Sequence, residues 1–104
     1  MSVEQAKQLI ASHPLLMISK TWCPDCVYGK KVFADLHTEP YVVELDKMDE
    51  GKELQEAFRQ LTNQNTVPNV FINGKHIGTE NDIARLLENG ELKKLVEDNN
   101  LVKN

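Results

Sequence analysis

Two thiols, Cys23 and Cys26, stand three positions apart in Lys20-Thr21-Trp22-Cys23-Pro24-Asp25-Cys26, and the chain has no other cysteine. An apolar run, Leu15-Leu16-Met17-Ile18, leads into this segment, and a helical pattern opens at Pro24. Strand, Cys-x-x-Cys, then helix is the layout that makes a thiol pair a reversible disulfide. Proline suits the first helical turn, where its missing N–H is an orphan donor anyway. Cys23 is thereby expected at the helix mouth, with Cys26 about one turn on along the same face. Unpaired backbone N–H groups at the mouth favour negative charge on the Cys23 sulfur. The chemistry predicted is thiolate exchange, with Cys23 as nucleophile and Cys26 as resolving thiol.

Two other uses of the thiols fit less well. Half of a zinc site needs two more ligands, and no pair among His13, His37 and His76 has finger-like spacing, so no metal is expected. A structural disulfide across so short a loop removes little unfolded-state entropy. Redox chemistry is the better reading.

With 104 residues, 40% of them hydrophobic, the chain is expected to form one domain, residues 1–104, around one modest core. No apolar stretch approaches the ~20 residues that span a bilayer. Met1-Ser2-Val3-Glu4-Gln5 has neither the basic and apolar regions of a signal peptide nor the Arg- and Ser-rich start of a transit peptide. A cytoplasmic, reducing setting is expected, where a vicinal dithiol is catalytic rather than structural. Net charge is −4 and no basic block exceeds Lys30-Lys31, so neither nucleic acid nor an anionic membrane is an expected partner. No apolar seam demands a partner, and a monomer is expected.

The elements that must hold the dithiol follow from hydrophobic spacing. Ser2 and Gln5 resemble a capping box, and Val3, Ala6, Leu9 and Ile10 predict a helix over 3–12, closed off by Pro14. Residues 15–19 read as a buried strand, and 24–36 as a helix with Val27, Phe33, Ala34 and Leu36 inward. Tyr41–Leu45 is a second strand, parallel to the first across a βαβ crossover. Leu54, Ala57, Phe58 and Leu61 mark a helix over 50–61. Val70–Ile72 and Lys75–Ile77 form a hairpin about Asn73-Gly74. A helix over 80–89 carries the apolar residues Ile83, Leu86 and Leu87, stops at Gly90, and is followed by a last helix over 91–98. The sum is an α/β fold, a four-stranded mixed sheet flanked by helices on both faces.

With those elements placed, the chain resembles a glutaredoxin of the thioredoxin superfamily along essentially its whole length, most like the divergent fungal members. The resemblance rests on Lys20-x-x-Cys23-Pro24-x-Cys26, Thr66-Val67-Pro68 and Ile77-Gly78-x-x-x-Asp82, in that order and spacing. It implies a thioredoxin-like fold and a cis peptide before Pro68, which turns the Val67 backbone towards Cys23. It also implies glutathione as co-substrate, and glutathionylated or disulfide-bonded proteins as partners. By the same resemblance Lys20 and Gln55 serve the cysteinyl-glycine carboxylate, and Val67 and Pro68 the peptide backbone. Asn81 and Asp82, at a helix start, would hold the γ-glutamyl carboxylate and ammonium. For any one of these side chains, solvated surface or an N-cap is the plainer use. Their joint placement favours a site.

Departures from the family pattern modulate that expectation. Trp22 and Asp25 replace the usual tyrosines around Cys23-Pro24, Thr79 replaces a second glycine, and Asn65 stands where many members carry a cation. Asp25 sets negative charge beside the thiols and opposes the thiolate. Thr79 adds a Cβ where the family permits close approach. Low glutathione activity is the expectation. Trp-Cys-Pro-Asp-Cys also resembles the active-site segment of a small thioredoxin-related family, so a disulfide reductase recharged by thioredoxin reductase is the rival enzyme. A non-enzymatic redox switch is the third reading. By the same resemblance an iron–sulfur scaffold is disfavoured, because Pro24 stiffens the motif where cluster-binding glutaredoxins usually have Gly or Ser.

Overall fold

The computed structural model describes residues 2–103. Its elements are α1 (Ser2–Ser12), β1 (Leu15–Ser19), α2 (Pro24–Asp35), β2 (Tyr41–Glu44), α3 (Gly51–Thr62), β3 (Asn69–Ile72), β4 (Lys75–Gly78), α4 (Glu80–Glu88) and α5 (Glu91–Asp98). A single 3-10 turn, Leu45–Lys47, follows β2. The strands lie in the order β2-β1-β3-β4, with β1 and β2 parallel and β3 antiparallel to both β1 and β4. This is the expected four-stranded mixed sheet.

All five residues of β1 are buried, because helices cover both faces of the sheet there. Successive strand side chains point to opposite faces. Leu15, Met17, Val70 and Ile72 therefore pack under Val32 and Phe33 of α2, Ile83 and Leu86 of α4, and Leu92 and Val96 of α5. On the other face Leu16, Ile18, Val43 and Phe71 meet Ala6 of α1 and Leu54, Ala57 and Phe58 of α3. Asn73 and Gly74 both take positive φ, 47° and 82°, which suits the twist of a two-residue hairpin turn.

Some inward assignments from sequence are corrected. Val27 is 57% exposed, and Ala34 is also exposed. The buried stripe of α2 runs through Cys26, Gly29, Val32 and Phe33, and Val27 and Ala34 fall outside it. Leu61 and Leu87, which only mark the helical spacing, are likewise more than a third exposed. Leu87 lies about 100° round the helix from buried Leu86, and Leu61 sits in the last turn of α3, beyond its buried residues. Residue 45 leaves the strand for the 3-10 turn but stays buried. Helix α1 already includes Ser2, so its cap position falls on residue 1, outside the described residues.

The pairing directions bring four connections to one sheet edge: the segments after β1, β2 and β4 and the one before β3. The turn after β2 is held tightly at Gly51, where an added Cβ would lie 2.0 Å from the Leu45 carbonyl oxygen. Backbone cannot yield there as a side-chain tip can. Gly51→Ala is expected to destabilise the protein by about 1–3 kcal/mol, read from a lowered urea midpoint at unchanged slope.

Candidate active site

Cys23 caps α2. Its backbone is extended (φ −86°, ψ 119°), Pro24 opens the first turn, and the Cys26 N–H donates to the Cys23 sulfur at 3.4 Å. This N–H is one of the orphan donors of a helix start, so the sulfur takes the place a Ser or Asp oxygen commonly fills. The Cys23 N–H donates to the Lys20 carbonyl at 3.2 Å, closing a turn over Lys20-Thr21-Trp22-Cys23. Across the sheet edge the Cys23 thiol reaches the Val67 carbonyl at 3.7 Å. The Val67–Pro68 peptide is cis, as the resemblance implied.

The two thiols differ in access. Cys23 retains 7% of its surface and Cys26 none. Both are free. Burial pushes the Cys26 thiol up to about 11, with the neighbouring Cys23 adding to the rise; the Lys20 backbone and the Ser19 hydroxyl pull the other way by hydrogen bonding. A reacting partner from solvent therefore meets Cys23 first. Cys26 waits as a thiol behind it.

Lys20, Trp22 and Gln55 come together along an open cleft of about 470 Å³ that Asp46, Met48, Asp49 and Lys52 also line. The Lys20 ammonium sits over the Trp22 ring, 5.6 Å from its centroid, while Trp22 itself is 68% exposed. Gln55 Nε2 donates to the Asn65 carbonyl at 2.7 Å and ties α3 to the loop before β3. Val67 is half-buried, and Pro68 is buried beside α2, where a Cβ on Gly29 would lie 3.6 Å from its ring.

Asn81 and Asp82 open α4 at the same sheet edge but do not line this cleft. Asp82 has structural work of its own. Its Oδ2 accepts from the Thr79 N–H at 3.0 Å, and Gly78, at φ +127°, leaves the space that return requires. A Cβ on Gly78 would lie 2.1 Å from that oxygen. Asn81 is exposed. Pro24 and Asp25 are exposed at the start of α2.

Asp46 is the residue that sequence spacing missed. Its Oδ1 accepts from the Thr21 N–H at 3.0 Å, and its Oδ2 accepts from the Thr21 hydroxyl. The Thr21 hydroxyl, then the Thr21 N–H, hold the Asp46 carboxyl below the usual carboxylate range. The contact joins residues 25 apart in sequence, and only the parallel pairing of β1 with β2 makes them neighbours. A Thr two places before Cys23 and an Asp just past a strand carry no periodic signal.

A capped dithiol at a strand-to-helix junction, in a mixed sheet covered on both faces, defines a thioredoxin-like disulfide oxidoreductase. Comparison with known proteins narrows the class. The glutaredoxin family model matches residues 15–77. Glutaredoxin-C4 of Arabidopsis thaliana is 46% identical over 90 residues, covering 86% of this chain and 67% of the relative. The crystal structure of a buckwheat glutaredoxin–glutathione complex superposes with a TM-score of 0.95 at 38% identity, covering 99% of this chain and 94% of that one. The solution structure of yeast dithiol glutaredoxin Grx8 gives 0.76 at 27% identity, over 98% of this chain and 97% of that one. The chain belongs to the glutaredoxin family, the glutathione-dependent thiol–disulfide oxidoreductases.

The Cys26 shift makes stability depend on alkaline pH. Below the ordinary value of 9.0 both folded and unfolded states keep the proton; between there and about 11 the unfolded chain loses it while the folded one does not. Unfolding is thereby favoured as pH rises. Reduced protein is expected to lose stability across that window in denaturant titrations, and Cys26→Ala should flatten the decline.

Proposed function

We propose that Cys23 attacks glutathione mixed disulfides and protein disulfides, and that glutathione returns the enzyme to its reduced state. The observation that carries this reading is the asymmetry of the dithiol. Cys23 is the accessible cap of α2 with an N–H aimed at its sulfur, and Cys26 is a buried thiol one turn behind it. With a glutathionylated protein, the Cys23 thiolate takes over the glutathionyl group and releases the protein thiol. A second glutathione then attacks that mixed disulfide, giving glutathione disulfide and free Cys23. With a protein disulfide, Cys26 resolves the intermediate and the Cys23–Cys26 disulfide forms.

In this proposal glutathione lies across the sheet edge. Lys20 and Gln55 face its glycine carboxylate, the Val67 backbone beside Pro68 pairs with its cysteine as an added strand would, and Asn81 with Asp82 meets the γ-glutamyl end. The buckwheat protein has been crystallised with glutathione in a near-identical fold, which supports the placement. Trp22, Pro24 and Asp25 modulate the rate. Several features favour slow turnover. Gln55 commits one of its two amide N–H donors to Asn65, Asp82 commits an oxygen to Thr79, and Asp25 opposes a thiolate at the helix mouth. We assign the protein a monomeric state, with disulfide-bonded and glutathionylated proteins of the cytoplasm as its partners.

The test is turnover of a glutathionylated peptide coupled to glutathione and glutathione reductase, run beside thioredoxin reductase with NADPH. Saturable glutathione-dependent turnover is expected, absent in Cys23→Ser. Cys26→Ser should keep deglutathionylation and lose reduction of protein disulfides. Turnover supported by thioredoxin reductase alone would overturn the assignment.

A further inference from the structure

The loop that brings Val67 to Cys23 is anchored by a chain of polar side chains outside the site. Asn69 opens β3, two residues past Val67, and is 2% exposed. Phe71 follows two residues on, along the same face of the strand, and its register partner on β4 is His76. Helix α3 covers that face. Three side chains meet there: Thr62 from the end of α3, Asn69 from β3 and His76 from β4.

The direction of each hydrogen bond follows from the last acceptor. The Phe58 carbonyl can only accept, and at 2.7 Å it takes the Thr62 hydroxyl proton. The Thr62 oxygen then receives two N–H groups, the Gln64 backbone at 3.1 Å and Asn69 Nδ2 at 3.3 Å. With its amide turned that way, Asn69 presents Oδ1 to His76 Nε2 at 2.7 Å, so the imidazole donates. Burial holds His76 below its ordinary value, against the pull of Asp82. The neutral ring therefore carries its one N–H on Nε2. It also leans on Phe71, with ring centroids 5.1 Å apart. Buried networks paired in this manner rigidify what they hold.

The Thr62 oxygen thus ties residues 64 and 69 to one atom, and residues 65–68 span the gap. That span carries the Asn65 carbonyl, which Gln55 holds, and the Val67 carbonyl, which the Cys23 thiol reaches. We propose that Thr62, Asn69 and His76 are positioning residues for glutathione, holding the Val67 backbone where the cysteine of glutathione pairs with it. This role rests on the glutathione site proposed above. The hydrogen bonds of the three side chains stop short of both thiols. Their effect falls on binding, through a site built before the ligand arrives, rather than on the reactivity of Cys23.

S-methylglutathione has no free thiol, so an NMR titration of the reduced protein reads affinity alone. Thr62→Val removes the hydroxyl and keeps the shape. Its dissociation constant is expected to rise on the order of tenfold, the scale of one lost hydrogen bond. Thr62→Ser keeps the hydroxyl and should restore the affinity to within about twofold. His76→Phe keeps a ring against Phe71 without the N–H, and should weaken binding as Thr62→Val does. Alkylation of Cys23 by iodoacetamide, which needs no backbone pairing, should keep its wild-type rate in all three. Unchanged affinity in Thr62→Val and His76→Phe, with only a lowered urea midpoint, would mark the network as structural and overturn the proposal. Loss of affinity in Thr62→Ser equal to that in Thr62→Val would overturn it too, as would a matching loss of alkylation rate. Failure of the wild type to bind the analogue would remove the glutathione site itself, and the proposal with it.

Discussion

Helix α2 begins on a sulfur. The hydrogen bond from the Cys26 N–H to Cys23 satisfies one orphan donor of the helix, and it sets the helical phase. Once Cys23 is the cap and Pro24 the first helical residue, Cys26, Gly29 and Phe33 must face the sheet, and Val27 must face solvent. The same contact therefore decides which thiol is reachable and which is sealed. Gly29 follows from this phase. It passes over the Met17 side chain, where an added Cβ would come within 3.4 Å of the methyl carbon.

The rest of the sheet edge is braced against that helix start. Asp46 grips Thr21, Val67 presents its carbonyl to Cys23, and Gln55 ties the loop before β3 to α3. The Asp46 and Val67 contacts depend on strand order, whereas Gln55 reaches only the loop that follows its own helix. Beneath them Lys30 and Glu44 join α2 to β2 by an ion pair that is only partly exposed. Partial burial makes such a pair a poor source of stability, since desolvation offsets much of the attraction.

Much of this was legible in the chain. The strand at 15–19 and the last helix at 91–98 were read to the residue, because an unbroken apolar run and a Gly stop leave little freedom. The dithiol and the hairpin at Asn73-Gly74 were equally plain. What escaped had two causes. Val27 and Ala34 read as inward because an apolar residue beside a buried stripe looks like part of it until the helix has a phase. Asp46 and Glu44 escaped because their partners, Thr21 and Lys30, lie 25 and 14 residues away across the β1–α2–β2 unit. Spacing rules see neighbours within a helix or along a strand, and these contacts are neither.

Trp22 is the only tryptophan in the chain, adjacent to Cys23, largely in solvent, and stacked beneath a lysine ammonium. An indole so placed has its light emission tuned by the charge above it and quenched or released by whatever enters the cleft. The protein thus carries its own optical reporter at the mouth of the site. No label is needed to watch a partner arrive or the dithiol change state.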